Sequence, residues 1–431
     1  VSSESGRRSA IAYACALLFL ITGLHANAID WTDRVDSIFR KWDKPGTPGC
    51  AIAVVDNGEV VYQNCYGMAS LRFGLPITPS TVFRNGSQSK QFTAFCILLL
   101  DEEGTLSLDD DIRLYLPEVP NYGSTITIRH LIYHTSGLQD YLQLMKYAGW
   151  YQMEDVITRE QVLALISRQE ALNFEPGERF MYCNTGYVLL AEIVSRASGK
   201  TFPEFAKERI FNPLDMSDSR FIDDHQEIVI NLADAYLEEE RGEYIHTPIN
   251  SAVVGDGGLH STVNDIAKWD RNFYEPVVGS YAILDRMHER GVLNDGREIE
   301  YAMGLYVVDS RGVRIIHHGG GNPGFGVNLV RLPDEHVSVV TMSNVLCDNF
   351  ELSANDLATK SMSIINYYLT ALETSVRSFH LYEPSVIGPG SGAMIEHLLD
   401  RVPLELENGR EAPAKTAEVD SVGRRTAPTL N

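Results

Sequence analysis

The chain has 431 residues, of which 44% are hydrophobic and 22% charged, enough to bury a sizeable core and unlike a disordered or low-complexity segment. Its 58 acidic residues against 36 basic ones give a formal net charge of -22. With no basic patch interleaved with aromatics, that balance argues against nucleic acid as a partner and for a solvated, anionic surface.

In chain order, Arg7 and Arg8 precede an apolar run over 10–24, and Ala26-Asn27-Ala28 follows as a small-residue cleavage site. The run is short for a membrane span and ends in a processing site, so residues 1–28 read as a secretory signal peptide. The expected location is secreted or periplasmic, with membrane attachment only through an uncleaved signal. Cleavage would leave Cys50, Cys65, Cys96, Cys183 and Cys347, an odd set with no metal-like spacing. Cys50 and Cys65 fall on adjacent strands of one expected hairpin, where only the strand register decides whether they can pair; buried, unpaired thiols are the expectation.

A helix is expected over 30–44, with Val35, Ile38, Phe39 and Trp42 at helical spacing before Pro45-Gly46 stops it. Runs over 50–55 and 59–66 flank Asp56-Asn57-Gly58, a hairpin signal. Tyr62-Gln63-Asn64 within it reads as strand edge. From about 87 to 100 a helix should present Phe92, Phe95, Cys96 and Leu99 as a core face before Gly104 breaks it. Mainly helical patterns follow at 161–168, 186–197 and 202–210. Beta character returns at 301–308, 313–318, 325–332 and 336–343, and a last helix is expected over 353–372. Strands near both ends with helices between them imply an α/β fold. Its catalytic lobe would comprise 29–104 and 246–375, closed around one antiparallel sheet, with an inserted helical lobe over 105–245 and a proline-bearing, poorly ordered tail over 376–431. A short helix over 394–401 could interrupt that tail.

The chemistry-bearing pattern is Ser87-Gln88-Ser89-Lys90 at the start of the third element. Positions i and i+3 share a helix face, which places a hydroxyl nucleophile beside an amine. A Ser-x-x-Lys pair alone is cheap, and is as well explained by a capped helix with a solvated lysine. Its weight comes from Tyr182-Cys183-Asn184 and His318-Gly319-Gly320 following in order. There is no Gly-x-Ser-x-Gly nucleophile elbow. Asp223, Asp224 and His225 lack an accompanying metal-ligand set and read as a solvated loop, so no metal and no cofactor is expected.

Taken with Leu131-Ile132-Tyr133-His134-Thr135-Ser136-Gly137-Leu138, Pro176-Gly177-Glu178-Arg179-Phe180 and Gly257-Gly258-Leu259-His260-Ser261-Thr262, these triplets resemble the family of class C β-lactamases, serine DD-peptidases, D-aminopeptidases and related carboxylesterases. The resemblance spans roughly 30–375. It implies a DD-peptidase/β-lactamase-like fold and an acyl-enzyme on Ser87, with Lys90 or Tyr182 as the base. It also implies an oxyanion hole from the backbone N-H groups of Ser87 and Gly321, and substrate contacts at Asn184 and Gly320. Asn184 has two open readings, tying Lys90 in place or capping the helix that follows. His318 stands where β-lactamases of the family usually carry lysine, which favours an esterase or DD-peptidase over a β-lactamase; a protonated imidazole there could still meet a substrate carboxylate at lower pH. The expected partner is a small ester or peptide, including cell-wall peptides or β-lactams. From another class, a non-hydrolytic acylated penicillin-binding or sensor protein would carry the same serine. His134 reads as structural, Cys183 as a small buried filler and His317 as facing away from the site; loops over 139–150 and 234–250 are expected to line the cleft.

Overall fold

The computed structural model describes residues 31–150, 153–239, 243–248, 250–310, 312–347 and 354–373. The segment read as a signal peptide and the tail, with the short helix expected over 394–401, lie outside the described residues. Helix α1 (Trp31–Phe39) is shorter than expected: it ends at Phe39, and Trp42 remains buried from the turn that follows. Strands β1 (Cys50–Asp56) and β2 (Glu59–Tyr66) form the hairpin. Asn57 and Gly58 both take positive φ, 49° and 79°, the twist that a tight two-residue turn needs to match the strands. Helix α2 (Ser89–Glu102) follows, then α3 (Asn184–Ser198) and α4 (Val263–Arg271). Strands β3 (Tyr306–Ser310), β4 (Val313–Asn322), β5 (Phe325–Leu332) and β6 (Val337–Ser343) precede α5 (Ala354–Glu373).

The six strands make one sheet in the order β3-β4-β5-β6-β1-β2, every pair antiparallel. Alternation along β1 divides its residues between two apolar layers: Cys50, Ile52 and Val54 join Val35, Phe39, Leu357 and Ile364 of the terminal helices, while Ala51 and Ala53 join the core around α2. Register settles the cysteines. Cys50 lies opposite Tyr66 and Cys65 opposite Ala51, so the two thiols point to opposite faces and both are free.

Two expectations change. The sequence pattern gives α2 one apolar face, yet every residue from Ser89 to Leu100 is buried, because the helix is packed among α3, the helices Phe202–Ala206 and Tyr281–Met287, and Trp269 of α4. The strand expected from 301 begins only at Tyr306. Gly304, at φ 75°, diverts the chain so closely onto α2 that an added Cβ would lie 2.6 Å from the Lys90 and Gln91 backbone.

Candidate active site

Ser87 sits in a single 3-10 turn, Gly86–Gln88, immediately before α2. It is not a helix cap: the turn's N-cap is Asn85, and no side-chain capping bond is made there. Ser87 is the half-exposed residue among buried neighbours, and its Oγ receives a 3.0 Å hydrogen bond from Lys90 Nζ. Lys90 is buried and donates also to Asn184 Oδ1 at 2.9 Å and to the Asp256 carbonyl at 2.8 Å. Burial pushes its pKa down to about 8, and the nearby Asp256 and Asp140 only partly offset that.

Asn184 is the first residue of α3, and its amide makes no cap. Its Nδ2 and backbone N-H both donate to Asp140 Oδ2, at 3.0 and 2.6 Å, which turns Oδ1 toward Lys90. Of the two sequence readings, the structure shows the tie to Lys90. Asp140 is itself the N-cap of the short helix Tyr141–Tyr147.

Tyr182 lies over Lys90, whose Nζ is 4.9 Å from the ring centroid. Burial raises the phenol's pKa far above its usual value, against a hydrogen bond with Ser87 that lowers it. His134, in left-handed backbone at φ 57°, packs its ring 4.3 Å from that of Tyr182 and accepts the Cys183 N-H through Nδ1 at 3.1 Å. Burial, then the nearby Lys90 charge, favours the neutral imidazole.

Strand β4 closes the site from the other side. An added Cβ at Gly320 would meet the Asn85 carbonyl oxygen at 1.8 Å, and one at Gly86 would meet Gly321 N and O at 2.8 Å, so glycines let the strand lie against the nucleophile turn. A Cβ at Gly321 would point into open space. Gly320 is therefore a buried packing contact of the nucleophile turn, and Gly321 is the residue that opens outward.

The Beta-lactamase family profile matches residues 35–360. The chain belongs to that family. It is 32% identical over 307 residues to penicillin-binding protein 4* of Bacillus subtilis (strain 168), a match covering 68% of this chain and 67% of the relative. Against the D-aminopeptidase of Brucella anthropi it is 30% identical over 318 residues, 74% of this chain but only 59% of that enzyme. Among solved structures, the octameric penicillin-binding protein homologue from Pyrococcus abyssi superposes with a TM-score of 0.67 at 27% identity, covering 79% of this chain and 77% of that one. The fold is thus the DD-peptidase/β-lactamase-like α/β fold, and this beta-lactamase-family chain is a serine hydrolase.

In this family member His318 faces the site, and its surroundings favour the neutral imidazole. Its Nδ1 lies 2.6 Å from the Gly319 carbonyl and donates to it, leaving Nε2 to accept from Tyr301 Oη at 3.2 Å. Burial, then the Lys90 charge, pushes its pKa down to about 3. Both influences work against the protonation expected at mildly acidic pH. His317 is buried and stacks on Tyr306, 5.3 Å between centroids.

Sequence reasoning missed Asp140, Tyr141, Asp256 and Tyr301. Asp256 is buried behind Lys90 and accepts from Tyr141 Oη at 2.9 Å; burial raises its pKa to about 6, with the Lys90 charge opposing. The only signals available were an aspartate before an apolar run at 140 and a charge set among glycines at 255–258. Asp223, Asp224 and His225 are exposed, with Asp224 Oδ1 4.0 Å from His225 Nδ1. Among the described residues no cluster of three or more His, Cys, Asp or Glu could hold a metal.

Proposed function

We propose that this hydrolase is secreted or periplasmic and forms an acyl-enzyme on Ser87 from esters or D-amino-acid-containing peptides. The observation that carries the reading is the 3.0 Å contact between Ser87 Oγ and a buried Lys90 whose pKa falls to about 8. At neutral pH about a tenth of such lysines are neutral and able to take a proton. The Ser87 oxygen attacks the substrate carbonyl carbon as its proton passes to Lys90 Nζ. The Ser87 and Gly321 N-H groups receive the oxyanion. Collapse of the tetrahedral intermediate breaks the bond to the leaving group, which takes a proton from the coupled Lys90 and Tyr182 pair. Tyr182, with its phenol pKa raised by burial, serves better as a proton donor than as the resting base. Water then repeats the sequence on the acyl-enzyme and releases the acid.

The named relatives, a penicillin-binding protein and a D-aminopeptidase, support a peptide substrate with D-amino-acid character. A neutral His318 provides no fixed charge for a substrate carboxylate, which favours esterase or aminopeptidase-type substrates over β-lactams. Location outside the cytoplasm rests on the N-terminal Arg-rich, apolar and small-residue pattern. No helix among the described residues is long and apolar enough to cross a membrane.

The deciding experiment treats the protein and Ser87→Ala with a fluorophosphonate, locates the label by mass spectrometry, and follows turnover of p-nitrophenyl esters, D-amino-acid p-nitroanilides and a chromogenic cephalosporin. The expected result is a label on Ser87 alone and sustained ester or D-anilide turnover. A label elsewhere removes Ser87 as nucleophile, and a single burst per molecule makes the protein an acylated sensor.

A further inference from the structure

Three residues upstream of the nucleophile, Arg84 lies in a small antiparallel sheet formed by Phe83–Arg84, Leu259–Ser261 and Arg220–Phe221. Its register sets His260 directly opposite Arg84 on one side and Arg220 on the other, so three basic side chains form one row. Residues directly opposite share a face and lie close enough to interact. Burial, then the Arg84 charge, pushes the middle member, His260, down to about 3, so the row carries two cations and a neutral imidazole.

Arg84 is 6% exposed, makes no ion pair among the described residues, and its Nε has no hydrogen-bond partner. Burial alone lowers its pKa to about 10. The side chain lines a cavity of about 220 Å³ together with His260, Thr247, His246, Phe325 and Asp234. Thr247 is also buried, and its Oγ1 is a second polar atom without a partner. The acidic groups of the cavity wall are already engaged. Asp234 takes a two-point ion pair from Arg72, with Nη2 to Oδ1 at 2.7 Å and Nε to Oδ2 at 3.1 Å, while Glu227 lies 3.6 Å from Arg220. Counting Arg72, Arg84 and Arg220 against Asp234 and Glu227 leaves one positive charge, that of Arg84.

We propose that this cavity is a binding site for a small oxyanion, a carboxylate or phosphate group, held by the Arg84 guanidinium and the Thr247 hydroxyl. A buried guanidinium without a counter-ion is unfavourable, and a planar fork of N-H donors matches a carboxylate or phosphate edge. The volume is far above the roughly 10–15 Å³ that admits one water, so an oxyanion fits. The cavity contains none of Ser87, Lys90, Tyr182 or Gly321. It does abut the turn between β4 and β5: Phe325 begins β5, and a Cβ added at Gly324 would meet Thr247 Oγ1 at 2.7 Å. An anion there would brace the turn that carries the glycine strand, without entering the catalytic cleft.

The test titrates the full-length protein with sodium phosphate and, separately, sodium acetate at constant ionic strength against chloride, reading melting temperature and heat of binding. Saturable binding of at least one oxyanion is expected, raising the folded-to-unfolded ratio about tenfold at ten times Kd. Arg84→Met should lose that response, and Thr247→Val should weaken the affinity about tenfold, as for one hydrogen bond to a charged group. Protein acylated on Ser87 should bind the anion unchanged. The proposal is overturned if neither anion binds saturably to the parent protein, if Arg84→Met binds as well as the parent, or if acylation of Ser87 blocks binding. Should Arg84→Met fail to fold, the parent isotherm and the Thr247→Val affinity decide; an unchanged affinity in Thr247→Val would then overturn the site.

Discussion

Lys90 answers to two opposing influences, burial that drives its proton off and the carboxylates of Asp256 and Asp140 that hold it on. The balance at about 8 sets the pH dependence of acylation. Because the base must be neutral, kcat/KM should rise as pH increases and level off above about 8. Asp256→Asn removes one of the charges that raise the Lys90 pKa, while the amide oxygen can still accept from Tyr141. The acid limb should therefore move to lower pH, and an unmoved limb in a pH-rate profile would mean that another group titrates there. His318 contributes no limb between pH 5 and 8, since its pKa lies near 3 and both ring nitrogens are already occupied by Gly319 and Tyr301. The ratio of cephalosporin to neutral-ester hydrolysis should accordingly stay flat across that range. A ratio that climbs as pH falls would show that His318 protonates and meets the substrate carboxylate.

At the scale of elements, the nucleophile turn and β4 are held together by the absence of side chains, and the two neighbouring glycines differ in what they tolerate. Gly320→Ala would drive a methyl group into the Asn85 carbonyl at 1.8 Å and push the strand away from Ser87. Gly321→Ala points into open space in an ordinary backbone conformation. Thermal unfolding and fluorophosphonate labelling should therefore separate them: the first loses about 1–3 kcal/mol and most of its labelling rate, as overpacked sites do, while the second keeps its melting temperature. Equal melting temperatures would remove the proposed close approach. The contrast also marks what the sequence can disclose. Ser87 and Lys90 are visible because their spacing follows the helix period, and Tyr182, Asn184 and the glycine strand because their order along the chain resembles the family's motifs. Asp140, Tyr141 and Asp256 act through contacts spanning 44 to 166 residues, for which no local period exists. Element ends fail for a related reason. The C-terminal part expected of α1, beyond Phe39, is not formed, and the strand expected at 301 is diverted because Gly304 packs on α2, a tertiary contact that residue-by-residue propensity does not contain.

The whole molecule is closed by its most distant strands, with Cys50 paired to Ser343 and Asp56 to Val337 along the β1–β6 seam. The hairpin and the late strands were legible from turn residues and alternation. Their order in the sheet was not, because pairing between segments so far apart in the chain leaves no mark on either one. Besides the apolar core that Ala51, Ala53, Val340 and Met342 share with Ile266 and Trp269, a buried ion pair fastens the sheet to the layer beneath it. Arg331 of β5, 1% exposed, donates through Nε to Asp270 of α4, 0% exposed, at 2.7 Å, and Ser338 of β6 donates to the same carboxylate oxygen at 3.0 Å. The guanidinium also lies 3.8 Å over the Phe273 ring. Taking two opposite charges out of water is itself costly, but removing only one of them leaves the other buried and uncompensated. Arg331→Met keeps much of the stem volume but strands the Asp270 carboxylate, and should cost about 3–5 kcal/mol in urea unfolding. Adding Asp270→Asn removes the stranded charge, so the double variant should recover part of that loss. Additive losses in the double-mutant cycle, or a single-variant cost below about 1 kcal/mol, would mean that the two groups are hydrated in solution and that apolar packing alone joins α4 to the sheet.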